Sequence, residues 1–279
     1  MTRKHDFYDR EIYTSASDFP LPVEVVEGDV DLYYHMAWSM YLDIERNNAA
    51  GRGSVFIVPV GPVFQYRRLV RMLRDRPLDL SALHLFFMDE YLDENDALIP
   101  EDSPLSFRGF VRQELIDPLG DTGGFSSERV YFPDPARPED YDRRLAAAGG
   151  ADVCYAGVGI NGHLAFNEAE AGLSVDDFLS LGSRTLTLSR ETITINSNTA
   201  LRGAFERIPA RAVTVGFRQI MDARRLRIYL NRPWQGAVVR KLLFGEESAG
   251  FPASLARRHG DARLTITPEV ARRPAFALK

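Results

Sequence analysis

Asp152-Val153-Cys154-Tyr155-Ala156-Gly157-Val158-Gly159-Ile160-Asn161-Gly162-His163-Leu164-Ala165-Phe166-Asn167-Glu168 is the stretch on which the reading of the whole chain turns. It begins as a short apolar run of strand length and stops at glycines. A run without polar alternation predicts a strand covered on both faces of its sheet. Comparable runs lie at residues 55–60, 83–88, 184–188, 212–216 and 226–230. Between them fall stretches of helical spacing. Leu32, Met36, Met40 and Ile44, widened by Tyr33, Ala37 and Tyr41, predict a helix near 31–48, capped by Asp29 and stopped by Gly51 and Gly53. Further helices are predicted at 64–73, at 103–117 with Ser103 as cap and Pro104 in the first turn, at 138–148 and at 234–244. Strands alternating with amphipathic helices argue for an α/β fold: a Rossmann-like, doubly wound, mostly parallel sheet with helices on both faces. No internal repeat, low-complexity tract or heptad series divides the chain, and the proline-rich stretch 132–138 reads as a loop within one sheet. Residues 1–279 are therefore expected to form a single domain.

Composition narrows the function classes. The chain has 279 residues, 45% hydrophobic and 26% charged, with a formal net charge of −5. These values suit a soluble globular protein and give no electrostatic reason to expect nucleic acid or an anionic membrane as partner. Cys154 is the one cysteine, lies inside an apolar run and has no partner for an internal disulfide. Residues 1–13 are polar and mixed in charge, unlike a signal peptide, and no apolar run approaches the length of a membrane span. A cytoplasmic protein is expected. No cluster of Cys or His predicts a metal, so the expected metal set is none.

Ligands of open parallel sheets bind beyond the carboxyl ends of the strands, and two strands end in unusual polar clusters. Phe86-Phe87-Met88-Asp89-Glu90-Tyr91-Leu92 puts two acids directly after an apolar run. Such a pair can serve as a turn or helix cap, or as a carboxylate backed by apolar walls, suited to general-base work. The second cluster follows residue 156. Its glycines let backbone approach a ligand, and a His bracketed by Asn161 and Glu168 can have one ring nitrogen oriented and the other left to carry protons. Gly157, Gly159 and Gly162 also match a dinucleotide fingerprint, with Asp176-Asp177 as the acidic element. That pattern needs a long helix next, and Asn167 and Gly172 interrupt one. A nucleotide-binding oxidoreductase remains the alternative enzyme reading, and a sugar sensor without catalysis the alternative outside enzymes.

Met88-Asp89-Glu90-Tyr91 and the segment from Gly157 to Glu168 resemble the two signature segments of the glucosamine-6-phosphate deaminases. The similarity runs through Ser183-Arg184, Ala212-Val213-Thr214-Val215-Gly216 and Ile220-Met221-Asp222-Ala223, covering roughly residues 50–245. The 6-phosphogluconolactonases are similar around the Gly-His turn but continue with Thr-Ala-Ser, so the deaminase branch is the better match. The resemblance implies an amino-sugar aldose–ketose isomerase and deaminase working without a cofactor, on a small-molecule substrate, and it leaves a homo-oligomer open. It implies catalytic roles for Asp89, His163, Glu168 and Asn161. His163 would move a proton during ring opening, Glu168 would orient it, and Asp89 would carry the C2 proton to C1. Substrate contacts would come from Glu90, Gly61, Gly157, Gly159, Gly162 and Arg184, with Asn198 and Gln235 at positions where the family carries phosphate-binding Arg and Lys.

The chain departs from the family pattern at definite points. Asn161 stands where many members have Asp. Pro59-Val60-Gly61-Pro62-Val63-Phe64-Gln65-Tyr66 replaces a Thr-Gly-Gly-Thr/Ser-Pro phosphate loop, and Pro62 has no amide to donate. Asn198 and Gln235 carry no charge. Arg202, Arg218 and Arg240 are the nearby candidates to supply it. The expectation is acid–base chemistry on a hexosamine whose far end is not a conventionally bound 6-phosphate.

Overall fold

The computed structural model describes residues 6–15 and 18–274. Its strands are β1 (Val23–Val25), β2 (Ser54–Val58), β3 (Leu83–Phe87), β4 (Asp89–Leu92), β5 (Val130–Tyr131), β6 (Val153–Ala156), β7 (Arg184–Thr187), β8 (Arg211–Thr214), β9 (Leu226–Leu230) and β10 (Ala262–Ile266). The α-helices are α1 (Asp29–Ala49), α2 (Gln65–Asp75), α3 (Phe107–Val111), α4 (Asp117–Leu119), α5 (Glu139–Ala147), α6 (Val175–Leu179), α7 (Arg190–Leu201), α8 (Phe217–Met221), α9 (Gln235–Phe244) and α10 (Pro268–Ala271).

A 7-stranded parallel sheet runs in the order β1-β10-β9-β6-β2-β3-β5. Successive residues of each central strand point to opposite faces, and both faces are buried. Phe56, Val58, Leu85 and Phe87 pack with Met36 and Met40 of α1 and with Leu69 and Leu73 of α2. Ile57, Phe86, Cys154 and Ile228 point the other way, into a core shared with Ile220 of α8 and with Val239 and Leu243 of α9. This double burial is the physical origin of the uninterrupted apolar runs, and it gives the doubly wound α/β architecture. Strand order reverses between β2 and β6. After β2 the chain adds strands toward β5; from β6 onward it adds them on the other side. Loops leaving the carboxyl ends of these neighbours diverge there and open a crevice.

Four sequence readings are corrected. Asp89 and Glu90 do not merely end a strand: the chain continues as β4. Residues 184–188 and 212–216 are strands, but they belong to a separate 3-stranded sheet of order β4-β8-β7, antiparallel throughout. Short runs with polar interruptions suit a sheet of this kind, packed on one small cluster around Tyr91, Phe166 and Ala212. The cap of the helix predicted at 103–117 is Ser106, which accepts from the Gly109 amide, not Ser103. The amides of Phe107 and Arg108 donate to the buried Glu90 carboxylate at 3.0 and 2.9 Å, which sets where that helix starts. Strands β1, β5 and β10 and helices α6, α7, α8 and α10 were not predicted. The helix near 31–48 begins at Asp29, with Gly28 rather than Asp29 as its cap.

Among the described residues, no helix is long and apolar enough to cross a membrane. The largest fully buried side chain is Arg240. Its guanidinium donates to the carbonyls of Arg10, Gly236, Ala271 and Arg272 at 3.0, 2.8, 2.7 and 3.2 Å. It therefore ties α9 to α10 and to the N-terminal lead, and it is unavailable to a ligand. Arg240→Ala should destabilise the protein by about 3 kcal/mol or more, because it leaves a cavity and several buried carbonyls without donors. Arg240→Lys should recover only part of the loss, having no planar fork. Urea unfolding of both variants checks this; an Ala variant within about 0.5 kcal/mol of the parent would refute it.

Candidate active site

Pro59, Val60, Gly61 and Pro62 follow β2, and Gly157, Val158 and Gly159 follow β6; both stretches line a cavity of about 390 Å³ at the crevice. Asp89 and Tyr91 of β4 enter it from the small sheet. Alternation along a strand sends Glu90 to the other side. Asp89 is 7% exposed, and its carboxylate accepts no hydrogen bond from another described residue. Burial drives its pKa well above the ordinary carboxylate range, and the charge of Glu90 adds to the effect.

His163 faces the same cavity from a turn closed on itself: the Gly159 amide donates to the His163 carbonyl at 2.9 Å, and the Gly162 amide to the Gly159 carbonyl at 3.0 Å. The imidazole lies directly against Gly159, where a Cβ would sit 2.0 Å from Nε2. Only glycine leaves room for the ring. The Glu168 carboxylate can only accept, so the Asn161 amide must turn its NH2 toward it and toward Ser189 Oγ. That fixes Asn161 Oδ1 toward the imidazole, 2.8 Å from Nδ1. Thr192 Oγ1 lies 3.2 Å from the same nitrogen. Nδ1 therefore carries the proton, and Nε2 keeps a lone pair for the cavity. Glu168 Oε2 stands 3.8 Å from Nδ1 and acts on the ring through Asn161. Burial lowers the His163 pKa, and the Glu168 charge opposes that shift. The assembly is anchored by the start of α7, where Ser189 caps the helix by accepting from Thr192 and donates its amide to Glu168 Oε1 at 3.2 Å.

Of the residues singled out in the sequence, Asp89, His163, Gly61, Gly157, Gly159 and Gln235 line one cavity, with Asn161 and Glu168 immediately behind His163. Others are corrected. Glu90 is fully buried, and its oxygens accept from the Tyr91, Phe107 and Arg108 amides and the Ser106 hydroxyl. It caps α3 and contacts no ligand space. Gly162 is a turn residue with φ +88°, packed on Phe251. Arg184 binds Asn167 Oδ1 at 2.7 Å and lies 3.7 Å from Glu170, away from the cavity. Asn198 is exposed; it lies about 200° around α7 from Asn196, and Asn196 and Thr199 line the cavity instead. Gln235 reaches the wall, but its amide is spent on the Asn231 and Arg232 amides and the Val158 carbonyl. Neither Arg202 nor Arg218 lines the cavity; Arg218 lies 3.7 Å from Asp142. Arg232 does line it. Sequence reasoning missed Ser189, Thr192, Asn196 and Arg232. The only signal for the first two was Ser189 preceding a polar run three residues ahead of Thr192.

Gly157, Gly159 and Gly162 open no helix; the next one is α6, beginning at Val175, so the dinucleotide pattern lacks its helix. Among the described residues, no group of His, Cys, Asp and Glu is arranged to hold a metal ion.

The raised Asp89 pKa carries a stability consequence. A carboxyl whose folded pKa exceeds its unfolded value favours folding while protonated, and that contribution is lost as pH rises through the folded value. Asp89→Asn cannot ionise, so this variant should be more stable than the parent at neutral pH, with the advantage vanishing below about pH 4. Melting temperatures across that range test the point; an Asn variant less stable than the parent at neutral pH would contradict it.

No protein-family model matches the chain. It is 27% identical over 216 residues to a glucosamine-6-phosphate deaminase of Halothermothrix orenii, covering 75% of this chain and 83% of that protein. It is 28% identical over 217 residues to a glucosamine-6-phosphate deaminase of Pseudoalteromonas translucida, covering 75% of each. Among solved structures, a monomeric glucosamine-6-phosphate deaminase superposes with a TM-score of 0.77 at 24% identity, covering 89% of this chain and 98% of that one. The 6-phosphogluconolactonase of Trypanosoma brucei superposes with a TM-score of 0.65 at 18% identity, over 92% and 100% of the two chains. The solved structures agree with this chain in fold, and the relatives most similar in sequence are glucosamine-6-phosphate deaminases, the proteins that its two motif segments resemble.

Proposed function

We propose that this protein is an aldose–ketose isomerase and deaminase of an amino sugar. One observation carries the reading: Asp89, a buried carboxylate, and His163, whose Nε2 is left for the cavity, face one space, and neither group is hydrogen-bonded there by another described residue. In the proposed reaction His163 Nε2 moves a proton between the ring oxygen and the anomeric hydroxyl, opening the sugar. Asp89 then removes the C2 proton and returns it to C1, so the aldehyde carbon is reduced as the amine-bearing carbon is oxidised. Water adds to the resulting imine carbon at C2, and ammonia leaves with a ketose as product. Asn161 and Glu168 hold the imidazole in the tautomer this needs. A carboxyl raised by burial is matched to carbon-acid chemistry near neutral pH. The names of the relatives support the general activity; Asp89, His163, Asn161 and Glu168 as its agents are our assignment.

We further propose that the sugar's far end is recognised in a way unlike that implied by the resemblance. Pro62 offers no amide, the carbonyls of Pro59 and Val60 are tied back to Tyr66 and Gln65, Asn198 points elsewhere, and the Gln235 amide is occupied. The substrate is a non-canonical hexosamine, or one whose phosphate is held loosely.

Asp89→Asn should reduce turnover at least ~100-fold, the loss expected for removing a general base. It should also abolish solvent deuterium incorporation at C1 of the product. Near-normal incorporation would remove Asp89 from this role. In the unmodified enzyme, kcat/KM for glucosamine 6-phosphate should fall below roughly 10⁴ M⁻¹s⁻¹, the low end of ordinary enzymes. A panel of phosphorylated and unphosphorylated hexosamines, read by ammonia and ketose formation, measures this, and a higher value would restore a conventional phosphate site.

A further inference from the structure

The cavity is lined unevenly. Among the described residues its charged groups and its histidine are Asp89, Arg232 and His163. Arg232 follows β9, whereas Asp89 opens β4, which continues from the end of β3. In the order β9-β6-β2-β3 these ends lie three strand spacings apart, roughly 14 Å. The wall on the β4 side is formed by Pro104, Leu105, Phe107 and Phe110. Leu105, Phe107 and Phe110 are half-buried, so folding leaves apolar surface uncovered at the cavity. Glu90 fixes this wall: its carboxylate accepts from the Ser106 hydroxyl and from the Phe107 and Arg108 amides at the start of α3. Phe107 and Phe110, three residues apart on that helix, share a face. The Phe107 ring centroid lies 5.0 Å from that of Tyr91 and 6.0 Å from that of Phe166, and Phe166 lies 6.1 Å from His163. The apolar surface therefore begins beside the proton-transfer groups. The polar groups next to it are taken by the protein. Ser106 Oγ donates to Glu90 and accepts from the Gly109 amide at 2.9 and 3.1 Å, and Asn196 Nδ2 donates to the Tyr91 hydroxyl at 2.9 Å. A sugar hydroxyl pressed against such a wall loses its water without gaining a partner.

We propose that Leu105, Phe107 and Phe110 form an apolar annex beside the reaction centre that takes a hydrocarbon substituent, an alkyl or acyl group carried on a hydroxyl of the hexosamine. The hexosamine rests on the function proposed above; the annex rests on the lining of the cavity. The proposed reaction needs a free amine at C2 and a carbon at C1 that can open to an aldehyde, so the substituent sits on O3, O4 or O6. Each methylene moved from water onto the wall favours binding by up to about fourfold, without any new hydrogen bond.

The chain has 2 tryptophans, and Trp234 lines the cavity, so Trp38→Phe leaves one fluorescent reporter beside the ligand. This variant is titrated with glucosamine and with glucosamines carrying methyl to butyl ethers at O3, O4 or O6. At one of these positions affinity should rise with each added methylene, by up to about fourfold. Phe110→Ala should cut the gain from the butyl group several-fold, Phe110→Leu should keep most of it, and affinity for glucosamine itself should be unchanged in both. Flat or falling affinity along all three series overturns the annex. So does a Phe110→Ala variant that loses glucosamine as strongly as the butyl ether, because the wall then serves the sugar ring and not a substituent. Glucosamine 6-phosphate binding more tightly than every ether overturns it as well. Binding as described but without ketose or ammonia formation would instead overturn the proposed function and leave the annex standing.

Discussion

The geometry of the site depends on how the chain passes Met88. This single residue joins β3 of the large sheet to β4 of the small one. Its amide donates to the Val58 carbonyl at 3.2 Å, and its carbonyl accepts from the Val215 amide at 2.7 Å. One peptide on each side thus belongs to a different sheet, and no loop intervenes. Residue 89 emerges at the crevice because the parallel sheet ends there. The main chain of Asp89 is fixed by pairing with Thr214, so its position needs no side-chain hydrogen bond. That is why a carboxylate can be both well located and unpartnered.

The same alternation separates two adjacent acids into opposite fates. Glu90 turns away from the cavity into a nest of amide and hydroxyl donors, with Arg108 Nε 3.3 Å from Oε2, which compensates its burial. Asp89 receives no such compensation, and its charged form is disfavoured. Burying a carboxyl without donors is destabilising, and sites that retain such groups trade stability for reactivity. The opposite wall follows the same logic. Ala165, beside the histidine turn, has φ +51°, a left-handed conformation that costs a residue with a Cβ about 1–3 kcal/mol. It is held there by Asn167, whose NH2 donates to the Leu164 and Val215 carbonyls at 3.0 Å each. Val215 thus serves both walls: its amide meets Met88 and its carbonyl meets Asn167.

Much of this was legible in the sequence, for identifiable reasons. Strands buried on both faces leave unbroken apolar runs, so β2, β3, β6 and β9 were readable. A long amphipathic helix such as α1 announces itself through Leu32, Met36, Met40 and Ile44. Asp89 and His163 stood out because polar groups at strand ends are rare unless they act as caps or as ligands. What failed was anything that depends on the partner across space. The small sheet was invisible because strand pairing is not encoded in the period of a four-residue run. Glu90 was misread because all its donors but the adjacent Tyr91 amide lie 16 or more residues later in the chain, on Ser106, Phe107 and Arg108. Asn198 was misassigned because family correspondence along α7 ignores which side of the helix meets the cavity. Helix α7 itself has only Thr192 and Ser197 buried, too few for an apolar stripe.

The two ends of the cavity are built from different materials. Asp89 is carried by a strand paired along its length, and His163 by a turn locked through Gly159, Asn161 and the start of α7. A substitution that moved Asp89 would disturb the pairing of the small sheet, and one that moved His163 the hydrogen bonds around Asn161 and Ser189. The mouth is carried by short connections, residues 59–64 and 231–234, whose backbone is held by Gln65, Tyr66 and Gln235 while the Arg232 side chain is exposed. Exchanging a side chain there changes the charge offered to a ligand without altering a core contact. Gln235 makes the point most directly. By spending its amide on the Asn231 and Arg232 backbone and the Val158 carbonyl, it gives up direct contact with a ligand and becomes the strut that aims Arg232. The positive charge that the mouth carries stands three residues back along the chain, on Arg232, a side chain that water can reach.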